Sequence, residues 1–320
     1  MLRYIGLRLA LFVPTLLIAS IVIFAILRVL PGDVVDVVLG GSGEVAHDPL
    51  QVERVREELG LDEPLIAQYG SWLWSVATGD FGGRSFVNRT PISSLVARQL
   101  PVTLQLAVYT MVLAAAIAIP VGIMGAVRQG KWADILVRLF AIGGQAVPSF
   151  FLALLALIAL VLLIGWSPPV IYDHVWQNPL RHAQLMLLPV VILAWGYAAY
   201  LTRMTRAGML DVLGQDFIRT ARSKGLTERI VLVRHALRNA LIPVLSVAGI
   251  QVGTLLGGAV VMETIFGLPG IGRGIVDAVS DRDYPVVQTY ATLFVFIMLS
   301  VNLVIDVLYA VLDPRITYRD

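Results

Sequence analysis

Cysteine is absent from the 320 residues of this sequence. This absence excludes disulfides, thiolate ligands for zinc or an iron–sulfur cluster, and a cysteine nucleophile. Charged residues are also scarce: they make up 14% of the chain, against about 25% in soluble domains, while hydrophobic residues reach 58%. This balance identifies an integral membrane protein. The formal net charge of +2 is small and gives no reason to expect nucleic-acid binding.

Common catalytic motifs are missing as well. The sequence has no Gly-x-Gly-x-x-Gly opening a helix, no His-Glu-x-x-His and no Gly-x-Ser-x-Gly. Gly125 to Lys131 match the spacing of a phosphate-binding loop, but Trp132 follows where Ser or Thr would hold magnesium, and the preceding run is a predicted membrane helix. We therefore expect no catalytic residue, no metal site and no cofactor in this chain.

Six apolar runs are long enough to cross a bilayer at about 20 residues per span. They lie near residues 9–30, 102–127, 135–164, 185–201, 241–262 and 286–311. The third is too long for one straight crossing and contains Gly143, Gly144 and Pro148, which predicts a break or a re-entrant start. The first follows Arg3 and Arg8 and exceeds a signal-peptide core, so we interpret it as a retained span. The predicted fold class is an all-α integral membrane protein with about six transmembrane helices.

The predicted organisation has four parts. They are a first transmembrane helix over 1–30, an external loop with amphipathic helices over 31–101, a transmembrane core over 102–311 and a tail over 312–320. In this arrangement most of the 24 Lys and Arg residues fall on the side of the two termini. Cytoplasmic loops carry such an excess, so we expect a multi-pass protein with both termini in the cytoplasm.

The external segments are predicted to carry local structure. Residues 48–78 have a helical pattern, and their aromatic residues Tyr69, Trp72 and Trp74 suit either the membrane interface or a packed lid without a ligand role. His174 and His182, in the second external loop, are more typical of surface residues than of metal ligands. The third external loop, 263–285, is rich in Gly and Pro, which predicts a non-helical turn lining a cavity. Its candidate gate residues are Glu263, Phe266, Gly267, Pro269 and Gly270.

Ionisable residues are few inside the predicted spans. Asp306 alone lies well within one, where an acidic group can bind the coupling ion of a secondary transporter. The alternative is that Asp306 makes a polar contact between helices. If it does, a transporter of this sequence has no visible coupling site and must take its energy from elsewhere.

A basic segment, Thr202–Pro243, joins the fourth and fifth predicted spans. It contains eight Lys and Arg residues but only three acidic ones. One apolar stripe comprises Leu210, Leu213, Phe217 and Ala221, and a second comprises Leu226, Ile230, Val233 and Leu237. The stripes predict two short amphipathic helices, the first ended by Gly225 and the second capped by Thr227. The pattern leaves two hypotheses open: a docking surface for another protein, or a hairpin that contacts anionic lipid.

Two stretches of this segment carry a resemblance to a known family. Residues 219–226 read Arg-Thr-Ala-Arg-Ser-Lys-Gly-Leu and residues 234–243 read Arg-His-Ala-Leu-Arg-Asn-Ala-Leu-Ile-Pro. They resemble the signature loop of bacterial ABC importer permeases of the dipeptide/oligopeptide class, although Arg219 and Thr220 replace the Glu-Ala of the general importer motif. Similar stretches occur along nearly the whole chain. They resemble the first of the two permease subunits that such an importer contains. They include Pro31-Gly32-Asp33, Leu59-Gly60-Leu61-Asp62, Gly79 to Gly82, Pro148-Ser149-Phe150, Glu263 to Gly272 and Asp313-Pro314-Arg315.

The resemblance implies a function and a set of partners. The chain would import peptides across the bacterial cytoplasmic membrane together with a second homologous permease, two ATP-binding subunits that hold ATP and magnesium, and an extracytoplasmic substrate-binding protein. The ATPase would dock on the 210–240 loop, with the lipid bilayer around the spans. The implied docking residues are Asp216, Arg219, Thr220, Ala221, Arg222, Lys224, Gly225 and Leu226. An ion-coupled secondary transporter and a membrane scaffold without a transport role remain the alternatives.

Overall fold

A computed structural model describes residues 2–29, 49–58, 62–169 and 171–312. Within these ranges every regular element is a helix. The helices are α1 (Leu2–Val29), α2 (Pro49–Glu58), α3 (Leu65–Ala77), α4 (Ile92–Val127), α5 (Trp132–Ala146), α6 (Ser149–Ile164), α7 (Pro179–Leu213), α8 (Asp216–Ser223), α9 (Glu228–Ile230), a π-helix (Val231–Leu237), α10 (Arg238–Phe266), α11 (Ile271–Ser280) and α12 (Tyr284–Leu312). The predictions for residues 31–33, 59–61 and 313–315 lie outside the described residues.

The membrane-spanning pattern agrees with the predicted fold class. Five described segments are long and apolar enough to cross a bilayer, and they are Gly6–Val29, Ile92–Val127, Pro179–Leu213, Val247–Phe266 and Tyr284–Val307. Helices α5 and α6 pass the same test as a pair bent by 93°, which makes a sixth span if the pair is one crossing. The predicted break in the third run is thereby confirmed.

Proline causes that break. Val147 has φ −107° and ψ 123°, an extended conformation that a residue preceding proline prefers, and Pro148 then occupies the position just before α6. Gly143 and Gly144 of the same run are helical, and Gly144 serves helix packing instead. A Cβ on Gly144 would lie 2.6 Å from the Cβ of Ala199 on α7, so the absence of a side chain lets α5 and α7 approach closely.

Several helices extend well beyond the predicted apolar runs. Helix α4 has 36 residues, about 54 Å at 1.5 Å per residue, whereas the apolar layer of a bilayer is about 30 Å thick. Helix α7, with 35 residues, is of similar length. Both helices therefore project outside the apolar layer, and the less apolar turns at their ends carry polar contacts.

The described chain divides into two compact units. The first comprises residues 1–8, 104–268 and 300–320, and the second comprises 9–103 and 269–299. In the first unit small side chains hold α4 and α7 together, because Ala114, Ala118, Ala194 and Ala198 are fully buried in one cluster. Such small residues let membrane helices pack closely.

The second unit packs α3 against α1. The Tyr69 hydroxyl lies 2.8 Å from Ser20 Oγ, and its ring makes an edge contact with Phe24. Tyr69 is half-buried and Trp72 is buried, whereas Trp74 is 71% exposed. These contacts favour the packed-lid alternative for Tyr69 and Trp72, and a membrane-interface position for any of the three aromatic residues stays a prediction. Tyr69 and Trp72 are packing residues, as expected for a lid, and only Trp74 is exposed.

The loop between α6 and α7, predicted to be external, belongs to the first unit, and a histidine next to it is not at the surface. His182 is 3% exposed, and its Nδ1 lies 3.0 Å from the carbonyl oxygen of Asp173. Because α7 begins already at Pro179, His182 lies in its first turn beneath the rings of Tyr109 and Tyr172. The prediction of a surface position was wrong for His182.

Candidate functional site

The basic segment forms two helical pieces separated by a tight glycine turn. Helix α7 ends at Leu213, α8 runs from Asp216 to Ser223, and α9 begins at Glu228. Gly225 has φ +74°, and its amide donates to the Arg222 carbonyl at 2.9 Å. The predicted helix end at Gly225 is confirmed, since glycine enters this left-handed region without the steric cost of a Cβ. Thr227 occupies the position before α9, but its side chain makes no capping hydrogen bond there.

The buried face of α8 differs from the predicted stripe. Ile218 and Ala221 are buried in a cluster with Met209 and Val231, whereas Phe217 is 44% exposed. The prediction treated residues 210–221 as one continuous helix. The interruption at Gly214 and Gln215 restarts the helical phase, so Ile218 takes the inward position that had been assigned to Phe217.

Three of the four residues in the second stripe are turned outward, whereas Leu237 packs against the buried cluster. Val231 and Ala236 are fully buried, while Leu226, Ile230 and Val233 are 36%, 41% and 55% exposed. The π-helix explains the change, because its i→i+5 hydrogen bonds give a wider turn than the 3.6-residue period used for prediction. With Phe217 these three side chains form the exposed apolar set of the segment.

An ion pair crosses the Gly225 turn. Arg222 donates to both carboxylate oxygens of Glu228, through Nη2 at 2.6 Å and Nε at 3.2 Å. The Arg222 hydrogen bond lowers the pKa of Glu228, and the same bond raises the pKa of Arg222. The bidentate contact joins the end of α8 to the start of α9. Sequence reasoning missed this role of Glu228. The only sequence signal for the pair is that a helix with a basic residue in its last turn is closely followed by a helix with an acidic residue in its first turn.

The remaining docking candidates lie mostly at the surface. Asp216, Arg219, Thr220, Lys224, Gly225 and Leu226 are exposed. Arg219 and Asp216 pair at 3.4 Å one helical turn apart, a contact that contributes little because both are in solvent. Ala221 is 6% exposed and packs inward, so it holds α8 in place and does not present a contact surface.

A buried ion pair joins α7, the helix that leads into the basic segment, to the start of α5. Arg206 on α7 donates to both carboxylate oxygens of Asp134 at the start of α5, at 2.6 and 3.0 Å. The Gly130 amide also donates to Asp134, and Arg138 lies 3.5 Å from it. Asp134 is 1% exposed, so these contacts offset the cost of burying its charge. Sequence reasoning did not single out Asp134, although it stands at a predicted loop end between Lys131 and Arg138.

The gate candidates occupy a shorter turn than predicted. Glu263 and Phe266 are buried within α10, and Gly267, with φ +67°, ends that helix. The Leu268 amide closes the turn on the Glu263 carbonyl at 2.9 Å. Within this stretch the non-helical residues are Gly267–Gly270, which precede α11, and Asp281–Asp283, which separate α11 from α12. The expectation of an irregular loop over 263–285 was therefore wrong for most of its length.

A polar cavity of about 410 Å³ lies in the first unit beside the α5–α6 break. Its lining includes Gln145, Ser149, Tyr197, Tyr200, Gln251 and Thr254. These side chains are neutral hydrogen-bonding groups placed between membrane helices. A cavity of this kind can accommodate a polar solute.

The one acidic residue predicted deep in a span has a cationic partner. Arg8 Nε lies 3.2 Å from Asp306 Oδ2, and the two side chains are 39% and 24% exposed. The pair links α1 to α12 within the first unit. This geometry favours the polar helix contact over an ion-coupling role for Asp306.

Comparisons with known proteins agree with these features. A family model described as "Binding-protein-dependent transport system inner membrane component" matches residues 118–318, and the N-terminal model of the membrane component matches residues 1–107. A peptide transport system permease protein of Brucella suis biovar 1 (strain 1330) is 43% identical over 311 residues, covering 97% of this chain and 98% of the relative. Glutathione transport system permease protein GsiC of Escherichia coli K12 is 40% identical over 319 residues, the full length of both chains.

Solved structures share the fold. An amino acid ABC transporter crystallised with histidines gives a TM-score of 0.52 at 16% identity, over 74% of this chain and 97% of that one. The inward-facing MetNI methionine ABC transporter gives 0.54 at 19% identity, over 70% and 98%. The full-length relatives and the two matching models lead to one conclusion: this chain belongs to the family of binding-protein-dependent transport system inner membrane components.

Proposed function

We propose that this chain is the permease subunit of an ABC importer that carries short peptides across the bacterial cytoplasmic membrane. Two ATP-binding subunits, which bind ATP and magnesium, supply the energy, and an extracytoplasmic binding protein delivers the peptide. A second, homologous permease completes the pore. Both termini lie in the cytoplasm. The names of the peptide and glutathione permeases at 40 to 43% identity support the cargo class.

One observation carries the docking role. The segment after α7 holds four apolar side chains in solvent, namely Phe217, Leu226, Ile230 and Val233, while a buried cluster fixes the helices beneath them. Exposed apolar side chains on a structured, basic segment are typical of a protein interface with a hydrophobic core and a polar rim. The ATPase subunit is the partner that a permease of this family requires.

Coupling follows from how the segment is attached. The Arg222–Glu228 pair fixes α8 to α9, and the Asp134–Arg206 pair ties the end of α7 to α5. A displacement of α8 by the ATPase is therefore transmitted to α5 and α7, both of which line the polar cavity. We expect the connected helices α5, α7 and α8 to adopt two global states, in which the polar cavity opens to one side of the membrane or to the other.

The test is ATPase stimulation in proteoliposomes that contain the assembled transporter and its binding protein. Replacing Ile230 and Val233 together by Ser is expected to reduce stimulation at least tenfold, because the apolar core of the interface is lost. The Ile171→Ser change, at an exposed apolar side chain in the predicted second external loop, serves as the control and is expected to change stimulation less than twofold. Undiminished stimulation in the double variant would contradict the docking role. A loss of stimulation that appears in anionic vesicles but not in phosphatidylcholine vesicles would point to a lipid contact instead.

A further inference from the structure

The second unit contains a pocket that the proposed coupling does not use. It has a volume of about 390 Å³ and lies between α1, α3, the turn at residues 79–83 and the start of α12. Its size falls within the 300–1,000 Å³ typical of small-molecule sites. We call it the α3 pocket, and two buried donors define it: Trp72 of α3 and Gln288 of α12.

Both donors lack an acceptor among the described residues. Trp72 Nε1 and Gln288 Nε2 are buried without a hydrogen-bond partner there, and their side chains are 8% and 7% exposed. An unsatisfied buried donor costs about 1–3 kcal/mol, so a built site with two of them calls for an acceptor. The indole N–H can only donate. The occupant must therefore bring acceptor atoms.

The indole is held in this orientation by the neighbouring turn. Gly82 has φ +89°, and a Cβ at that position would come within 3.2 Å of Trp72 Nε1. The Gly82 amide donates to Ser75 Oγ at 2.8 Å, and Thr289 Oγ1 donates to the Phe81 carbonyl at 2.8 Å. These contacts fix the turn against α3 and α12, and the pocket is therefore preformed.

The charges around the pocket are mixed, with an excess of cations. Arg28, Arg84 and Arg89 line it together with the acidic residues Glu63 and Asp80. A guanidinium group matches the geometry of a carboxylate and binds it through paired hydrogen bonds. An excess of guanidinium groups beside two unsatisfied donors therefore selects an oxyanion.

The two acidic residues narrow the choice of ligand. A phosphate, with its higher negative charge, would be repelled by Glu63 and Asp80, whereas a zwitterion has an ammonium group to offer them. We propose that the α3 pocket binds a short zwitterionic peptide, with the terminal carboxylate on Trp72, Gln288 and the arginines. This assignment rests on the proposed peptide transport. It adds a peptide site outside the polar cavity of the first unit.

The experiment measures equilibrium binding without nucleotide. The full chain in phosphatidylcholine nanodiscs is titrated calorimetrically with the dipeptide alanylalanine, with its C-terminal amide and with inorganic phosphate. Alanylalanine is expected to bind at least tenfold more tightly than either of the others, because only it presents a carboxylate together with an ammonium group. Equal binding of the acid and the amide, phosphate binding as tight as that of the dipeptide, or no binding of alanylalanine would each overturn the proposal.

Variants assign the site to this pocket. Trp72→Phe removes the indole donor and keeps an aromatic ring, and it is expected to weaken alanylalanine binding about tenfold. Gln288→Glu sets a carboxylate against the ligand and is expected to weaken binding further. Trp74→Phe, at the exposed tryptophan of the same helix, is the matched control and is expected to leave affinity within twofold. Unchanged affinity in both pocket variants would overturn the assignment. ATP-driven uptake of alanylalanine by the assembled transporter is measured separately. If the chain binds alanylalanine but the transporter does not take it up, the proposed function is contradicted and the assignment of the pocket stands.

Discussion

Arg222 and Glu228 face each other across the Gly225 turn, and their contact fixes the angle between α8 and α9. Both side chains are about half exposed, at 44% and 52%, so solvent screens the pair and its effect on global stability is small. Its effect on geometry is larger, because the bidentate contact removes freedom from a turn that has few other restraints.

Breaking this pair is expected to impair coupling more than folding. Glu228→Gln removes the charge and keeps the size, so Arg222 loses its paired acceptor and α8 can rotate relative to α9. We expect ATPase stimulation by the binding protein to fall about threefold to tenfold in proteoliposomes. Asp211→Asn removes an exposed acid from the same segment and serves as the control, with a change below twofold. Equal effects of the two substitutions would contradict a specific role for the pair.

The pH dependence of the pair has a defined sign. Since the pKa of Glu228 is lowered by Arg222, its contribution is fully present above the ordinary glutamate value of about 4.3 and is lost as pH falls through the lower folded value. The difference in melting temperature between the wild type and Glu228→Gln is therefore expected to be constant from pH 6 to 8 and to shrink below about pH 4. A difference that changes between pH 6 and 8 would assign the titration to another group.

Gly225 acts through its backbone conformation and not through close packing. A Cβ there would meet nothing within 4 Å, but φ is +74°. Gly225→Ala is therefore expected to cost about 1 kcal/mol, while Gly225→Asn, which tolerates the left-handed region, should cost less. Hydrogen exchange of the α8 amides measures this local opening. Equal protection in the two variants would show that the left-handed conformation does not limit the turn.

At the level of the helices, the sequence predicted element positions better than it predicted their faces. Apolar runs located the spans, and Pro148 located the break, because both signals are local. The inward faces of the basic segment were predicted only in part. Ala221 and Leu237 pack inward as expected, but Ile218 and Val231 take inward positions in place of Phe217 and Val233, since an interruption at Gly214 and a π-helix at Val231–Leu237 each shift the helical phase. Those shifts depend on tertiary packing around Ile218 and Val231. The Arg222–Glu228 and Asp134–Arg206 pairs were missed because each joins two elements whose approach the sequence does not specify.

The contact between α5 and α7 can be tested with adjacent glycines. A Cβ on Gly144 would lie 2.6 Å from Ala199 Cβ, whereas a Cβ on Gly143 would lie 3.4 Å from the Trp195 ring, an ordinary contact distance. Gly144→Ala is expected to lower stability by about 1–3 kcal/mol through overpacking, and Gly143→Ala by less than about 0.5 kcal/mol. Denaturation of the purified chain in detergent measures both. A neutral Gly144→Ala would mean that the two helices separate at little cost.

For the whole molecule, the decisive question is where the energy for transport enters. The polar cavity beside the α5–α6 break is lined by neutral polar and apolar groups, and Asp306 is paired with Arg8. Neither feature supplies a site that binds and releases a coupling ion. The structured basic segment, with its exposed apolar set, provides a surface on which a separate ATPase can dock and move the helices. Transport is therefore expected to follow ATP and not an ion gradient.

Neutralising both members of the Arg8–Asp306 pair separates these alternatives. Asp306→Asn alone removes the carboxylate that Arg8 contacts and is expected to reduce stability, whereas Arg8→Gln with Asp306→Asn removes both charges and should recover part of it. Uptake of a labelled dipeptide by proteoliposomes with the complete transporter is expected to remain ATP-dependent in the double variant, within about threefold of the wild type. Collapse of the proton and sodium gradients should leave it unchanged. If the double variant is well folded and hydrolyses ATP but no longer transports, Asp306 has a role in moving the solute that its pairing with Arg8 does not explain.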